Sequence, residues 1–169
     1  GVDSSVAAAL LHEAGHEVVG VTLRLWGGES DTGCCSVSDV DDARRVADKL
    51  GIDHHVFNRG DDFDRDVVGP YVDDHAAGRT PNPCIECNRH IKFGRLWQRA
   101  QALGFNRLAT GHHARVVVRS DGVRRIARAT DPAKDQSYVL HMLGQDVLAG
   151  LLLPVGELTK AEVLSLIHI

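Results

Sequence analysis

The chain has 169 residues and a formal net charge of -4, with 43% hydrophobic and 25% charged residues. This length and balance predict one globular domain with a substantial core. They exclude a membrane-spanning protein, because the best candidate run, residues 147–155, is about half of the roughly 20 apolar residues that a transmembrane helix needs. No signal peptide is recognisable, so we expect a cytoplasmic protein.

The net charge hides an uneven distribution along the chain. Residues 39–74 contain eleven acids and five Lys or Arg, whereas residues 79–128 contain eleven Lys or Arg and two acids. A basic half of this kind attracts the phosphates of a nucleic-acid backbone. A basic surface that is merely solvated is the alternative, since these charges can also be scattered over several faces.

Helices and strands are predicted to alternate along the first two thirds of the chain. Apolar periodicity, caps and glycine stops support each assignment. The order predicts an α/β fold in which a parallel sheet carries helices on both faces, as in Rossmann-like proteins. The predicted segments are helix 4–14, strand 16–25, helix 38–50, strand 53–58, helix 61–77 with an interruption at Pro70, helix 87–103 and strand 107–112.

The pattern changes after His113. Residues 114–118 and 123–129 flank Asp121-Gly122, a hairpin signal that predicts two antiparallel strands. A short helix over 135–143 and a helix capped by Thr159 are expected next. The sequence therefore predicts two parts, 1–113 and 114–169.

Both ends of the chain look truncated. A phosphate-binding loop normally follows a β-strand, and none precedes residue 1. Residues 164–169 stop in the middle of a predicted helix. We therefore expect a fragment whose first strand is missing.

A short glycine and hydroxyl loop, Gly1-Val2-Asp3-Ser4-Ser5, leads into the first predicted helix. Its backbone N–H groups can bind a pyrophosphate, and the serine hydroxyls add donors. The lysine of a Walker loop is absent, so this is a different kind of phosphate loop. The alternative is an ordinary helix start capped by Asp3 or Ser4.

Four cysteines, Cys34, Cys35, Cys84 and Cys87, favour catalysis, metal binding or redox switching over structural disulfides in a cytoplasmic chain. Two of them lie between a proline-stiffened turn and a predicted helix that starts at Cys87. That position predicts an exposed thiol, and the helix dipole should favour its thiolate form. The neighbouring cations Arg89, His90 and Lys92 should add to this effect.

These motifs together resemble one known family. Gly1-Val2-Asp3-Ser4 resembles the end of the Ser-Gly-Gly-x-Asp-Ser loop of the N-type ATP pyrophosphatases, the PP-loop superfamily. With the further motifs, the chain resembles the tRNA-specific 2-thiouridylase family along nearly its whole length. The further motifs are Thr80-Pro81-Asn82-Pro83-Cys84-x-x-Cys87-Asn88, Ala109-Thr110-Gly111-His112 and Lys134-Asp135-Gln136-Ser137-Tyr138.

The resemblance implies a fold of the adenine nucleotide alpha hydrolase type and an ATP-dependent reaction. In that reaction the wobble uridine of a tRNA is adenylated and then receives sulfur from a cysteine persulfide. It implies ATP with Mg²⁺ as cofactors, and tRNA and a sulfur-carrier protein or cysteine desulfurase as partners. Residues 1–113 would form the ATP-binding and catalytic domain.

The same resemblance implies roles for individual residues. Cys87 would be the catalytic thiol, and the persulfide cysteine would lie beyond residue 169. The nucleotide would contact Gly1, Val2, Asp3, Ser4, Leu23 and Gly111. The target base would face Asn82, Pro83 and Cys84, and the tRNA would contact His112, Lys134, Asp135 and Gln136.

One position departs from the family pattern, and other functions stay open. Many members have Asp where this chain has Cys84, so an acid-base role at this position is in doubt. A Cys-x-x-Cys pair also suits zinc or an iron-sulfur cluster, with Cys34 and Cys35 as further ligands. The rival functions are an amide-forming PP-loop ligase, such as a lysidine or GMP synthetase, and a metal-binding module without catalysis.

Overall fold

The computed structural model describes residues 1–25 and 37–168, and Cys34 and Cys35 lie outside them. The described residues form two compact units. The first unit contains Gly1–Glu17 and the described residues from Leu96 onward, and the second contains the described residues of Val18–Arg95. Across the part of the chain that is described, none of the helices has the length and apolar character needed to span a bilayer.

The second unit is built on a parallel strand pair. Strand β1 (Val19–Arg24) pairs with β2 (Asp53–Asn58) in a register that runs from Val19 opposite Asp53 to Arg24 opposite Asn58. Helix α2 (Val37–Leu50) lies between them in sequence and ends at Gly51, whose φ of +67° favours glycine. The predicted strand, helix and strand are confirmed here.

The next helices of the second unit include a π-helical segment, which the sequence did not predict. Helix α3 (Gly60–Phe63) continues as a π-helical segment (Asp64–Val68) and then as α4 (Gly69–Ala76). The predicted interruption at Pro70 is therefore displaced, because the helix changes its winding at Asp64 and Pro70 lies in the first turn of α4. Proline fits there because its ring fixes φ near the helical value.

The helix that carries the cysteines begins earlier than predicted. Helix α5 (Pro83–Glu86) precedes a π-helical segment (Cys87–Leu96). The predicted start at Cys87 is wrong, because Asn82 caps the chain and Pro83 supplies the first helical residue. The core of the second unit consists of Leu25, Phe63, Val67, Cys87 and Ile91.

The first unit begins with helix α1 (Val2–Glu13), which starts at Gly1 without a side-chain cap. The prediction that Asp3 or Ser4 caps this helix is wrong, since both residues lie inside its first turn. Helix α6 (Trp97–Ala102) and strand β3 (Leu108–Ala109) come next in this unit, and β3 is shorter than the predicted strand 107–112.

An antiparallel hairpin follows, as predicted. Strand β4 (Ala114–Val118) pairs with β5 (Arg124–Arg128), and Gly122 turns the chain between them with a φ of +77°. The predicted helix 135–143 is a single 3₁₀ turn, Ser137–Leu140. The turn of the hairpin is closed by a hydrogen bond from the Arg119 N–H to the Val123 carbonyl, 3.0 Å long.

The end of the described chain completes the first unit. Helix α7 (Gln145–Gly150) and strand β6 (Leu151–Leu152) were not predicted, and β6 pairs in parallel with β3. Helix α8 (Lys160–Ser165) has the predicted Thr159 cap, and a 3₁₀ turn, Leu166–His168, follows it. The core of α1 and α8 consists of Val6, Ala7, Val155 and Val163.

The predicted α/β class is confirmed, with both parallel pairs joined through helices along the chain. Among the described residues the strands form three two-stranded sheets. The two compact units are defined by contacts between residues. The predicted division at residue 113 concerns function, and it stays a prediction.

Candidate functional site

The first turn of α1 has the form of an anion seat. The hydroxyl of Ser4 donates to the Gly1 carbonyl at 2.8 Å, and that of Ser5 donates to the same carbonyl at 3.1 Å. The serines therefore secure the turn. The first N–H groups of an α-helix have no intrahelical acceptor and lie at the positive end of the helix dipole, which suits a phosphate.

Gly111, in the loop after β3, packs directly on this turn. A Cβ atom added to Gly111 would lie 2.6 Å from the backbone nitrogen of Ser4 and 2.9 Å from the Cβ of Asp3. Contacts this short do not occur between ordinary side chains and backbone, so only glycine fits without movement. Gly111 and the loop residues Asp3 and Ser4, all predicted to contact a nucleotide, are therefore neighbours.

Asp3 is the charged centre of this region. Its Oδ1 accepts a hydrogen bond from Lys160 Nζ at 2.5 Å and lies 3.4 Å from Nε2 of His113. Partial burial acts to raise the pKa of the Asp3 carboxyl, but Lys160 and His113 outweigh it and hold that pKa below its ordinary value. Sequence reasoning missed Lys160 and His113, since each is more than a hundred residues from Asp3.

His113 is buried and is held by Gln136. The His113 N–H donates to the Gln136 side-chain oxygen at 2.9 Å, and the Gln136 N–H donates to the His113 carbonyl at 2.8 Å. The neighbouring His112 forms a 2.8 Å hydrogen bond between its Nδ1 and the Thr110 hydroxyl. These bonds fix the loop that follows β3.

The remaining residues predicted to contact tRNA lie in the next loop. Asp135 accepts from the backbone N–H of Ala129 at 2.9 Å and from the hydroxyl of Ser137 at 2.8 Å. Burial acts to raise the pKa of the Asp135 carboxyl, but these hydrogen bonds hold it below its usual value. Asp135 thus shapes its own loop, while Lys134 is exposed on it.

The second unit carries the cysteine motif. Asn82 caps α5, because its side-chain oxygen accepts from the backbone N–H of Cys84 at 3.0 Å, and Pro83 is the first helical residue. Cys84 is an exposed free thiol one residue into the helix. The cap and the proline hold it in one place, with its thiol in contact with solvent.

Cys87 lies one turn further along and is buried. It is 9% exposed and packs in the core that contains Leu25 and Ile91. The predicted exposed position therefore belongs to Cys84, because the helix starts at Pro83 and turns Cys87 inward. Any substrate of Cys87 has to reach the small exposed part of its side chain.

Arg89 and His90, which lie near Cys87 in sequence, both contact the acidic side chain of Glu86. Arg89 Nε lies 3.4 Å from a Glu86 side-chain oxygen, and His90 Nε2 lies 3.2 Å from the same oxygen. Residues three and four apart on a helix are neighbours, so these contacts follow from the spacing. The predicted stabilisation of a Cys87 thiolate by Arg89 and His90 stays a prediction, with Glu86 as a competitor.

An ion-pair network holds the helices of the second unit together. Arg65 donates to Asp62 and to Asp66, each at 2.8 Å, and Arg95 lies 3.1 Å from Asp62 and 3.5 Å from Asp66. Hydrogen bonds from Arg65 are the main cause that holds the pKa of both carboxyls below the ordinary range. The network fastens the segment that carries Cys87 at its far end, since Arg95 belongs to that segment.

Two further predictions concern Leu23 and metals. Leu23 lies on β1 and packs against the core that contains Cys87. Residues 1–25 and 37–168 contain no group of three or more His, Cys, Asp or Glu side chains that could hold a metal ion. A four-cysteine site would need Cys34 and Cys35, so the metal-binding alternative stays an untested prediction.

Comparisons with known proteins place these features in a family. A family model described as "tRNA methyl transferase HUP domain" matches residues 1–168. A relative from Roseiflexus castenholzii is 52% identical over 98% of this chain and 50% of its own length. Relatives from Carboxydothermus hydrogenoformans and Geobacter metallireducens are 53% and 47% identical, each over 98% of this chain and 47% of their own length.

All three relatives carry the name "tRNA-specific 2-thiouridylase MnmA". The chain spans about half the length of the curated relatives it matches. The resemblance predicted from the motifs is confirmed, and the chain belongs to the tRNA methyl transferase HUP domain family.

Proposed function

We propose that the natural protein carrying this chain transfers sulfur to C2 of the wobble uridine of tRNA and consumes ATP. The observation that carries the proposal is the pair of sites within one chain: the α1 anion seat with its Gly111 loop, and the capped cysteine helix. The names of the relatives support it, since proteins about half identical to this chain are called 2-thiouridylases.

The chemistry explains why both sites are needed. The C2 carbonyl oxygen of uracil is a poor leaving group, and transfer of AMP from ATP to that oxygen releases pyrophosphate and turns it into a good one. The terminal sulfur of a persulfide then forms the C2–S bond as AMP leaves. Cys87 attacks the inner sulfur of that persulfide, which frees the thiouridine and leaves a disulfide that a thiol reductant has to reduce.

The nucleotide fits the first unit. The first turn of α1 offers N–H donors to phosphates, and Gly111 leaves no side chain in the way. Mg²⁺ would arrive with the nucleotide phosphates. The proposed nucleotide-binding residues of this unit are Gly1, Val2, Asp3, Ser4 and Gly111. A nucleotide contact of Leu23, which lies on β1 in the second unit, stays a prediction.

The tRNA contacts are proposed from the second unit and from the loops after β3 and β5. Asn82, Pro83 and Cys84 present a rigid, partly exposed edge that can receive an unstacked base. The basic residues of 79–128 offer charge for the tRNA backbone. The proposed tRNA contacts are His112, Lys134, Asp135 and Gln136, and the proposed protein partner is a persulfide carrier or cysteine desulfurase in the cytoplasm.

The test is the Cys87→Ser variant of the natural protein that carries this sequence. We expect 2-thiouridine in the product tRNA, measured by mass spectrometry, to fall below detection while ATP binding is retained. Cys84→Ser should lower the rate by about 2- to 13-fold without abolishing it, because one contact to a base contributes about 0.5–1.5 kcal/mol.

Unchanged thiolation by Cys87→Ser would contradict the proposal. Retained amide-forming turnover on a small substrate would instead favour the ligase alternative. One metal ion per chain that is lost when Cys84 and Cys87 are replaced would favour the metal-binding module.

A further inference from the structure

Lys160 reaches the anion seat from the other end of the first unit. Its Nζ donates to Asp3 Oδ1 at 2.5 Å, although 157 residues separate the two in sequence. The Lys160 side chain is 27% exposed and that of Asp3 is 33% exposed. The ammonium group is therefore fixed against the first turn of α1 and also accessible to a ligand from solvent.

The fold builds this position for the lysine. The Lys160 backbone N–H donates to a side-chain oxygen of Asp131 at 3.0 Å. The preceding Thr159 and the following Glu162 form a reciprocal capping box that fixes the start of α8. Val163 of the same helix is fully buried against α1, so the helix cannot slide away from the seat.

Asp3 puts a negative charge in the anion seat, and the Lys160 ammonium offsets it. Asp3 places a carboxylate in the turn whose N–H groups would bind phosphates, and like charges at such distances repel. Lys160 offsets that charge, and an ammonium has three N–H donors, of which Asp3 takes one. Two donors are then left for a second anion, because Asp3 is the acceptor found for this ammonium within residues 1–25 and 37–168.

His113 is a second neighbour of the Asp3 carboxylate. Its Nε2 faces the same Asp3 oxygen at 3.4 Å, and the residue is 2% exposed. Its second ring nitrogen, Nδ1, is buried and has no hydrogen-bond partner in the described part of the chain. Both neighbours contact the same oxygen of Asp3, and the Lys160 side chain is far more exposed than that of His113, so Lys160 can also contact a ligand from solvent.

We propose that Lys160 is a phosphate-binding residue of the nucleotide site and supplies, from the far end of the sequence, the lysine that the glycine and serine loop lacks. The inference rests on the proposed use of ATP. It assigns Lys160 to the phosphates rather than to the adenosine, because Lys160 lies at the α1 turn where the phosphates are proposed to bind. Asp3 then holds the lysine in place between rounds of binding.

The test compares ATP with adenosine as ligands of the natural protein, by calorimetry. Lys160→Met should weaken ATP binding by about 10- to 100-fold, the range expected for one charged hydrogen bond. Adenosine binding should change by less than about 2-fold, because it offers no phosphate. Lys160→Arg should keep most of the ATP affinity. Lys49→Met, the same substitution at an exposed position of α2, should keep all of it.

Lys160→Gln guards against misfolding of the methionine variant. Glutamine can still donate to Asp3 but carries no charge, so it should lose ATP affinity while its melting temperature stays near that of the unmodified protein. Equal weakening of ATP and adenosine, or unchanged ATP binding in both variants, would overturn the inference alone. Failure of the unmodified protein to bind ATP would overturn the proposed function as well.

Discussion

The two compact units differ in how far apart in sequence their contacts lie. The second unit is one stretch of chain, Val18–Arg95, and its cysteine helix is capped by a residue two positions from Cys84. The first unit joins Gly1–Glu17 to residues beyond Leu96, and its anion seat depends on a pair 157 residues apart. The exposed thiol is therefore positioned by residues close to it in sequence. The charge balance of the anion seat depends on residues that are far apart in sequence.

The largest expected effect tests whether the two cores serve different sites. Ile91→Ala removes three carbons from a fully buried side chain in the core that contains Cys87, and should cost about 2–5 kcal/mol of unfolding free energy. We expect sulfur transfer to suffer more than ATP binding, because the cavity adjoins Cys87. Urea unfolding and the two activity measurements check this.

Val163→Ala is the matched change in the other core and removes two carbons. It should cost less unfolding free energy and should weaken ATP binding, while sulfur transfer at saturating ATP stays near that of the unmodified protein, since Val163 packs α8 against α1. The same loss of both activities in both variants would mean that the cores do not act separately.

The next effect concerns the close approach of Gly111 to α1. Gly111→Ala forces a Cβ within 2.6 Å of the Ser4 nitrogen, so the loop has to move. Overpacking of this kind typically costs about 1–3 kcal/mol. We expect lower stability, measured by urea unfolding, and weaker ATP binding, measured by calorimetry.

Gly60→Ala is the control for the Gly111 variant. Its added Cβ would meet the nearest described atoms at 3.5 Å and 3.6 Å, which is ordinary contact. Its unfolding free energy should stay within about 0.5 kcal/mol of the unmodified protein. Full ATP affinity in Gly111→Ala would show that the loop can shift without harm to the seat.

The smallest effect concerns pH and the ion-pair network of the second unit. The carboxyl pKa values of Asp62 and Asp66 are lower in the folded state, so their contribution to stability is present above about pH 4 and is lost as the pH falls through the folded values. Asp62→Asn should reduce the loss of urea stability between pH 6 and pH 3. Salt at about 1 M should reduce it further, because the pairs are partly exposed.

Asp73→Asn serves as the control for the pH experiment. Asp73 is exposed on α4 and forms no ion pair with the described residues, so its replacement should leave the pH dependence as it is. An equal flattening by both replacements would show that the network contributes no more than general surface charge.

Most of the fold could be predicted from local patterns. The strand 53–58, the hairpin around Asp121-Gly122 and the Thr159 cap were all legible, because each depends on neighbours in sequence. Helix α7 and strand β6 were not, since a short apolar run does not distinguish helix from strand. The π-helical segments have no sequence signature that simple periodicity detects.

The candidate site, too, could be predicted only where it depends on neighbours in sequence. The cysteine motif and the phosphate loop were found from sequence, and the cap at Asn82 explains why the exposed thiol is Cys84. The solvent contact of each cysteine was not predictable, because it depends on where the helix starts. Lys160 and His113 were out of reach, since nothing in the sequence indicates which residues the fold will bring to Asp3.

The packing of α1 against α8 has a consequence for synthesis on the ribosome. Val6 and Ala7 are made first, and their partners Val155 and Val163 emerge about 150 residues later. At about 5–20 residues per second, the wait is roughly 8 to 30 seconds. A helix of 12 residues is only marginally stable alone in water, so the nascent α1 has to form again, or first form, when α8 arrives.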